Sequence, residues 1–249
     1  FRRVLFRSED GWPMLGDADG RVPEKMTLTT YPDACKGGIM GSDDFSASNL
    51  SLYWQWNHNP MDDCWSLTER PGFMRLKTGR VVENLFLAPN TLTQRMSGPR
   101  CSGVVAMDVS KMADGDVAGF SAFNGLSGVL AVEKKAGKKS LVMSFQSVSL
   151  ADKDKRVTEV KTEEKERVEC LNDVAYLRID GDFTKGKDEA TFYYSYDNKT
   201  WKRIGCPCKM KFDHTKMFMG SKFAIFNYAT KSLGGYVDVD SFWGDCFLK

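Results

Sequence analysis

Short runs of alternating apolar and polar residues, cut apart by turn dipeptides, constrain this chain more than any other feature. In Val174–Asp180, Ala175, Leu177 and Ile179 fall on one side, and Tyr176, Arg178 and Asp180 on the other. In Phe73–Thr78, Met74 and Leu76 oppose Arg75 and Lys77. Successive side chains of a strand point to opposite faces, so such runs are half-buried strands. Turn signals recur at Asp10-Gly11, Asp19-Gly20, Pro71-Gly72, Asp114-Gly115, Gly181-Asp182, Asp197-Asn198 and Gly234-Gly235. Trp65–Glu69 and Phe73–Thr78 flank Arg70-Pro71-Gly72 as one hairpin; Ala190–Tyr196 and Thr200–Ile204 flank Asp197-Asn198-Lys199 as a second. Many short strands at this spacing predict an all-β, two-sheet antiparallel sandwich with almost no helix.

The chain has 249 residues, 42% of them hydrophobic. A domain of that size buries roughly 70–75% of its unfolded surface, enough for a self-standing core. With 35 basic and 33 acidic residues the net charge is +2, which supplies no general pull toward nucleic acid or an anionic membrane. No run of 18 apolar residues exists to span a bilayer as a helix. Seven cysteines, at 35, 64, 101, 170, 206, 208 and 246, are odd in number and scattered. They read as reduced, mostly buried small hydrophobes, with pairing left open. Lys153–Glu169, dense in Lys and Glu, has too thin an apolar stripe to dock as a helix and reads as a charged, solvent-facing strand pair.

Residues 1–8, rich in arginine, read as a translated sequencing adapter and are set aside. Asp10–Asp33, with Pro13, Pro23 and Pro32, reads as the end of another domain and a linker, leaving 36–249 as the sandwich.

Leu52-Tyr-Trp-Gln-Trp-Asn-His-Asn-Pro60 and Trp65-Ser-Leu-Thr-Glu-Arg-Pro-Gly-Phe-Met-Arg-Leu76 carry a recognisable pattern. So do Asn90–Arg95 ahead of Gly98-Pro99, Asp114–Phe120, Gly220–Tyr228 and Gly234–Phe242. Together, over about 200 residues, they resemble the carboxyl-terminal concanavalin-A-like jelly-roll sandwich of family 43 glycoside hydrolases, the β-xylosidases and α-L-arabinofuranosidases. Asp10-Gly-Trp-Pro13 with Asp19-Gly20 is similar to the last strand of that family's five-bladed catalytic propeller. The resemblance implies that catalysis belongs to the propeller, whose two carboxyls stand about 6.5–9.5 Å apart across the sugar. No residue of this chain aligns with them. The expected role is accessory: bracing the propeller and shaping its pocket rim in an enzyme acting on plant cell-wall pentosans. The alternative is a free-standing carbohydrate-binding module. The compartment, periplasmic, extracellular or cytoplasmic, is open.

Several residues are candidates for contact with a xylo- or arabino-oligosaccharide or with the propeller. Trp54 and Trp56, two apart, share one face of a strand and serve either as sugar-stacking rings or as packing. Asn57 and Asn59 bind hydroxyls or close a turn. His58, one of only two histidines, is expected to bond loop backbone rather than to act as a base. In the resembling enzymes a sandwich loop near Gln94–Cys101 reaches over the propeller, which makes Arg95 and Arg100 candidates through the five fixed donors of guanidinium. An exposed apolar cluster is expected near Trp54–Asn59 and this loop. No cofactor is required. Asp43 and Asp44, which open the first strand, and Asp238 and Asp240, alternating on the last, are weak candidates for a structural calcium.

Overall fold

The structure, a computed structural model, describes residues 40–210 and 219–247, Arg21, and the backbone of a ribbon formed by β1 (Arg7–Glu9) and β2 (Trp12–Met14). The chain divides into two compact units, 1–37 and 38–249. The adapter-like and propeller-like readings of the head fall, apart from that ribbon, outside the described residues.

The second unit is nearly all strand. In chain order it runs β3 (Gln55–Trp56), β4 (Trp65–Ser66), β5 (Met74–Lys77), β6 (Leu92–Arg95), β7 (Arg100–Asp108), β8 (Asp116–Phe123), β9 (Leu126–Lys135) and β10 (Lys138–Leu150). It continues through β11 (Val157–Glu169), β12 (Val174–Asp182), β13 (Glu189–Ser195), β14 (Lys202–Arg203), β15 (Cys208–Lys209), β16 (Lys222–Ala229) and β17 (Tyr236–Phe247). Two 3-10 turns, Asp62–Cys64 and Leu85–Leu87, are the only helical pieces among the described residues. A 7-stranded antiparallel sheet orders β11-β10-β9-β8-β16-β6-β3. An 8-stranded one orders β14-β13-β12-β7-β17-β5-β4, with β15 against β13. This is the expected two-sheet sandwich, and both expected hairpins are present as β4/β5 and β13/β14.

Alternation places the core. Ala175, Leu177 and Ile179 of β12 turn inward and are buried, as do Ala118, Phe120 and Ala122 of β8 from the opposite sheet. Phe120 stacks on Phe223 at 5.4 Å between ring centroids, and Phe242 meets both rings. A second cluster lies on the other side of the 7-stranded sheet: Val117, Phe123, Val129, Ala131, Ala224, Phe226 and Tyr228. The loop 81–91 covers it with Leu85 and Ala88, held by Val82 N–H to the Ala229 carbonyl (2.9 Å) and Leu85 N–H to Gln146 Oε1 (3.0 Å). Strand β8 is therefore buried on both faces, the condition under which a strand loses its alternation. The close fit has a local signature at Gly119, where a Cβ would stand 2.2 Å from the Leu130 carbonyl oxygen.

Two local expectations need correction. Lys153–Glu169 is not a strand pair but a turn followed by one edge strand, β11, lying along β10. The reversal falls at the start of the run, at 151–156, closed by Ala151 N–H to the Arg156 carbonyl (2.9 Å), so Val157–Glu169 lies along β10. Its free edge is dense in charge, which disfavours edge-to-edge association. Asp238 and Asp240 do not share a face either. A bulge between Val239 and Ser241 inserts one residue and breaks the alternation, leaving Asp238 buried and Asp240 exposed.

Candidate functional site

Trp54 and Trp56 both turn toward the core. Trp54 is buried between Phe45 (5.8 Å) and Phe242 (5.2 Å), and its Nε1–H donates to Asp43 Oδ2 at 2.8 Å. Trp56 is half-buried against Trp65 at 5.3 Å. The Trp54 ring is taken up by packing, and Trp56 keeps part of its surface in solvent. What the solvent meets beside them is Leu52, fully exposed, and Tyr53. Asn57 is tied through its backbone N–H to the Thr91 carbonyl (2.9 Å), and Asn59 is exposed. His58 Nε2 lies 2.8 Å from the Phe86 carbonyl, the expected bond to loop backbone.

Arg95 and Arg100 stand on different sheets. Arg95 ends β6 of the 7-stranded sheet, Arg100 opens β7 of the 8-stranded one, and residues 96–99 cross between them. Both are exposed at one end of the sandwich. Arg95 lies opposite Lys222, whose amine donates to Gln55 Oε1 at 3.2 Å. Burial, and then the charge of Arg95, hold the Lys222 pKa below its usual value. Arg100 Nε reaches Asp182 at 3.3 Å. The side-chain hydroxyl of Thr184 and its backbone N–H keep that carboxylate well below the usual range.

The four aspartates do not form a calcium cradle. Asp43 accepts from Trp54 and from the Phe45 N–H, and Asp44 from Ser46. Asp238 is gripped by Arg75 through two bonds (2.7 and 2.9 Å) and by Arg70 at 3.0 Å; Arg70 also pairs with Asp108 at 2.8 Å. Two arginines around one carboxylate neutralise the charge a cation would need. Among the described residues no group of three or more His, Cys, Asp or Glu is placed to hold a metal ion.

Sequence reasoning missed the outward face of the 8-stranded sheet. Arg178 makes a bidentate pair with Asp180 (both 2.8 Å), which also accepts from Ser102 at 2.7 Å. The Arg178 guanidinium lies over Tyr193 (5.5 Å) and Trp201 (5.8 Å). Hydrogen bonding to Asp180 raises the arginine's pKa further. Val104 separates Arg178 from Trp243, which is 57% exposed and donates Nε1–H to Ser241 at 3.2 Å. Next to this cluster a recess of about 240 Å³ is lined by Arg100, Asp180, Asp182, Glu189 and Thr191, among others. The loop 81–91 covers the second cluster on the outward face of the 7-stranded sheet, whereas among the described residues no such loop covers this face. The available signal was the alternation of Tyr176, Arg178 and Asp180 away from the core, read together with Tyr193 and Trp243. Strand order was needed to set them side by side.

These features define a concanavalin-A-like sandwich of two antiparallel sheets. Residues 42–243 match the family model of the β-xylosidase C-terminal concanavalin A-like domain, and the chain belongs to that family. It is 32% identical to a β-xylosidase of Formosa agariphila over 264 residues, covering 95% of this chain and 41% of that protein. Among solved structures, a bifunctional GH43-CE protein of Bacteroides eggerthii is 40% identical with a TM-score of 0.81, covering 99% of this chain and 30% of that one. A GH43 glycoside hydrolase, engineered to display both endo-xylanase and exo-arabinofuranosidase activity, is 31% identical with a TM-score of 0.84. It is covered over 48% of its length. The chain thus spans less than half of each of these relatives.

Proposed function

We propose that this chain is the accessory carboxyl-terminal sandwich of a family 43 glycosidase of β-xylosidase or arabinofuranosidase type, bracing the catalytic propeller and shaping its pocket rim. One observation carries the reading. The family match runs across both sheets, and each relative named above continues far beyond the matched part. The aspartates considered for calcium are bound to their own neighbours, which leaves them a structural part in the sandwich. Asp238 is held by Arg75 and Arg70, and Asp43 by Trp54. Arg95 and Arg100, exposed at the end where the chain crosses between sheets, are the side chains best placed to reach a rim. The substrate in this reading is a xylan- or arabinoxylan-derived oligosaccharide.

The test joins this chain to the catalytic portion of its own gene. Arg95→Ala or Arg100→Ala then raises KM for aryl-xyloside or aryl-arabinofuranoside with little change in kcat, while the chain alone shows no turnover. Turnover by the chain alone that survives a second purification would overturn the reading. The outward face around Trp243 favours a second reading, a free-standing sugar-binding module, because its exposed indole adjoins paired charged groups. Micromolar binding of xylo-oligosaccharides to the isolated chain by calorimetry would select it.

A further inference from the structure

Strands β7 and β17 are antiparallel neighbours in the 8-stranded sheet, and their register sets Cys101 directly opposite Cys246. Directly opposed residues of an antiparallel pair have Cα atoms about 4.5 or 5.5 Å apart. A disulfide spans Cα separations of about 4.4–6.8 Å with Cβ atoms about 3.5–4.5 Å apart, and opposed Cβ atoms stand about 4.5–5.5 Å apart, so a small approach of the two strands closes the bond. Both side chains point the same way, since opposed residues share a face; Cys101 belongs to the core cluster and Cys246 packs against it. Both thiols also approach the same neighbour, Ser97. Both are free thiols in this structure. Cys64 and Cys170, also free and buried, lie just outside the paired strands, and no described cysteine stands opposite either.

We propose that Cys101 and Cys246 are a redox-closable pair whose disulfide staples the end of the last strand to the centre of the sheet. The need for such a staple is visible in the pairing. Strand β5 runs beside β17 only from Tyr236 to Val239. Beyond it, the bridge between Asp43 and Phe242 and the contacts between Ser42 and Gly244 are the last bonds on that side. Among the described residues, Asp245, Cys246 and Phe247 are ladder-bonded to β7 alone. A segment held on one side opens more readily than one held on both. Strand β7, by contrast, lies between β12 and β17 along its whole length.

The chemistry needs an oxidant, and a small-molecule disulfide of the glutathione type serves. The half-exposed Cys246 attacks first as its thiolate, forming a mixed disulfide and expelling one glutathione thiolate, which takes up a proton. Cys101 then attacks the Cys246 sulfur, and the second glutathione leaves. Two thiols have become one disulfide, and the oxidant has become two thiols. Burial raises both thiols, Cys101 to about 12, so closure is slow at neutral pH and accelerates as pH rises. Such a pair stays open in a reducing compartment and closes in an oxidising one.

The test exposes the reduced native chain to oxidised glutathione at mildly alkaline pH, blocks remaining thiols, and maps peptides without reduction. The expected result is a Cys101–Cys246 linked peptide with loss of two hydrogens, and a Tm several degrees higher that dithiothreitol reverses. Cys101→Ser should trap Cys246 as a stable glutathione adduct, and Cys246→Ser should show neither adduct at Cys101 nor a rise in Tm. Cys101→Ala replaces the buried serine variant if that fails to fold. A link between Cys206 and Cys208 instead, a glutathione adduct at Cys246 as the end product in the wild type, or a linked pair without a higher Tm would each overturn the proposal.

Discussion

Asp238 offers the sharpest test of how charge is held on the 8-stranded sheet, because the sequence suggested one role and the geometry another. Its side chain is 4% exposed and grips Arg75, itself 16% exposed, through two bonds; Arg70, 39% exposed, adds a third. The Arg75 guanidinium also lies 4.2 Å over the Tyr236 ring, so it cannot swing into water without losing that contact. Asp238→Asn preserves shape and removes the charge. Removing one partner of a buried pair costs about 3–5 kcal/mol, because the other charge is left without compensation. Here Arg75 keeps a partner in Glu69 at 3.2 Å and Arg70 is open to solvent, which brings the expected loss to about 2–4 kcal/mol. For a domain of this size each kcal/mol moves Tm by about 2–4 °C, so a loss near 3 corresponds to a fall of about 6–12 °C. Replacing both partners, Asp238→Leu with Arg75→Met, should recover most of that loss, since neither charge is then stranded. Added salt should change the wild-type value little, and EDTA should not change it at all. The assay is thermal and urea unfolding of the wild type, Asp238→Asn and the double variant. A cost below about 1 kcal/mol for Asp238→Asn, or a chelator-induced fall in wild-type Tm that the variant lacks, would refute the ion-pair assignment.

Three further outcomes are expected. Trp54→Ala removes a ring packed on Phe45 and Phe242 together with its bond to Asp43, and should cost about 3–5 kcal/mol by urea unfolding; a loss confined to sugar affinity would instead make Trp54 a binding residue. Gly119→Ala forces a methyl group against the Leu130 carbonyl and the Ala131 Cα, which are backbone atoms and cannot rotate aside, so it should destabilise by about 1–3 kcal/mol, and an unchanged Tm would mean that β8 and β9 are less closely paired than described. Burial raises the Asp116 pKa, and among the described residues its Oδ1 has no hydrogen-bond partner. A carboxyl raised in the folded state favours folding below its unfolded value near 3.9 and loses that contribution as pH rises through the folded one. Asp116→Asn should therefore gain on the wild type between acid and neutral pH, as read from Tm measured across that range; parallel pH profiles would contradict the assignment.

The period-two pattern was enough to find both hairpins and the inward face of β12, because alternation is a property of the strand itself and needs no partner. It also marked Trp54 and Trp56 as sharing one side, with packing as one of two readings. Which reading holds depended on Phe45 and Phe242, which are distant in sequence and arrive only with the fold. Strand β8 shows no alternation to read, because it is buried on both faces, and the loop that covers its second face comes from 81–91. The charged run at 153–169 gave its exposure but not its pairing, because turn position decides register and the turn lay at the start of the run.

Local chemistry along the chain thus determined the fold class and the family, through strand period, turn residues and motif strings. Tertiary structure alone decided the fate of the charged and sulfur-bearing side chains. A single bulged residue between Val239 and Ser241 sent Asp238 into two arginines and Asp240 into solvent. The register of β17 on β7 brought Cys246 to Cys101 across 145 positions of sequence. The sheet order laid Trp243, Val104, Arg178 and Tyr193 side by side on the outward face. Pairing across strands is set by register and strand order, and these are fixed by the whole core closing at once rather than by any segment taken alone.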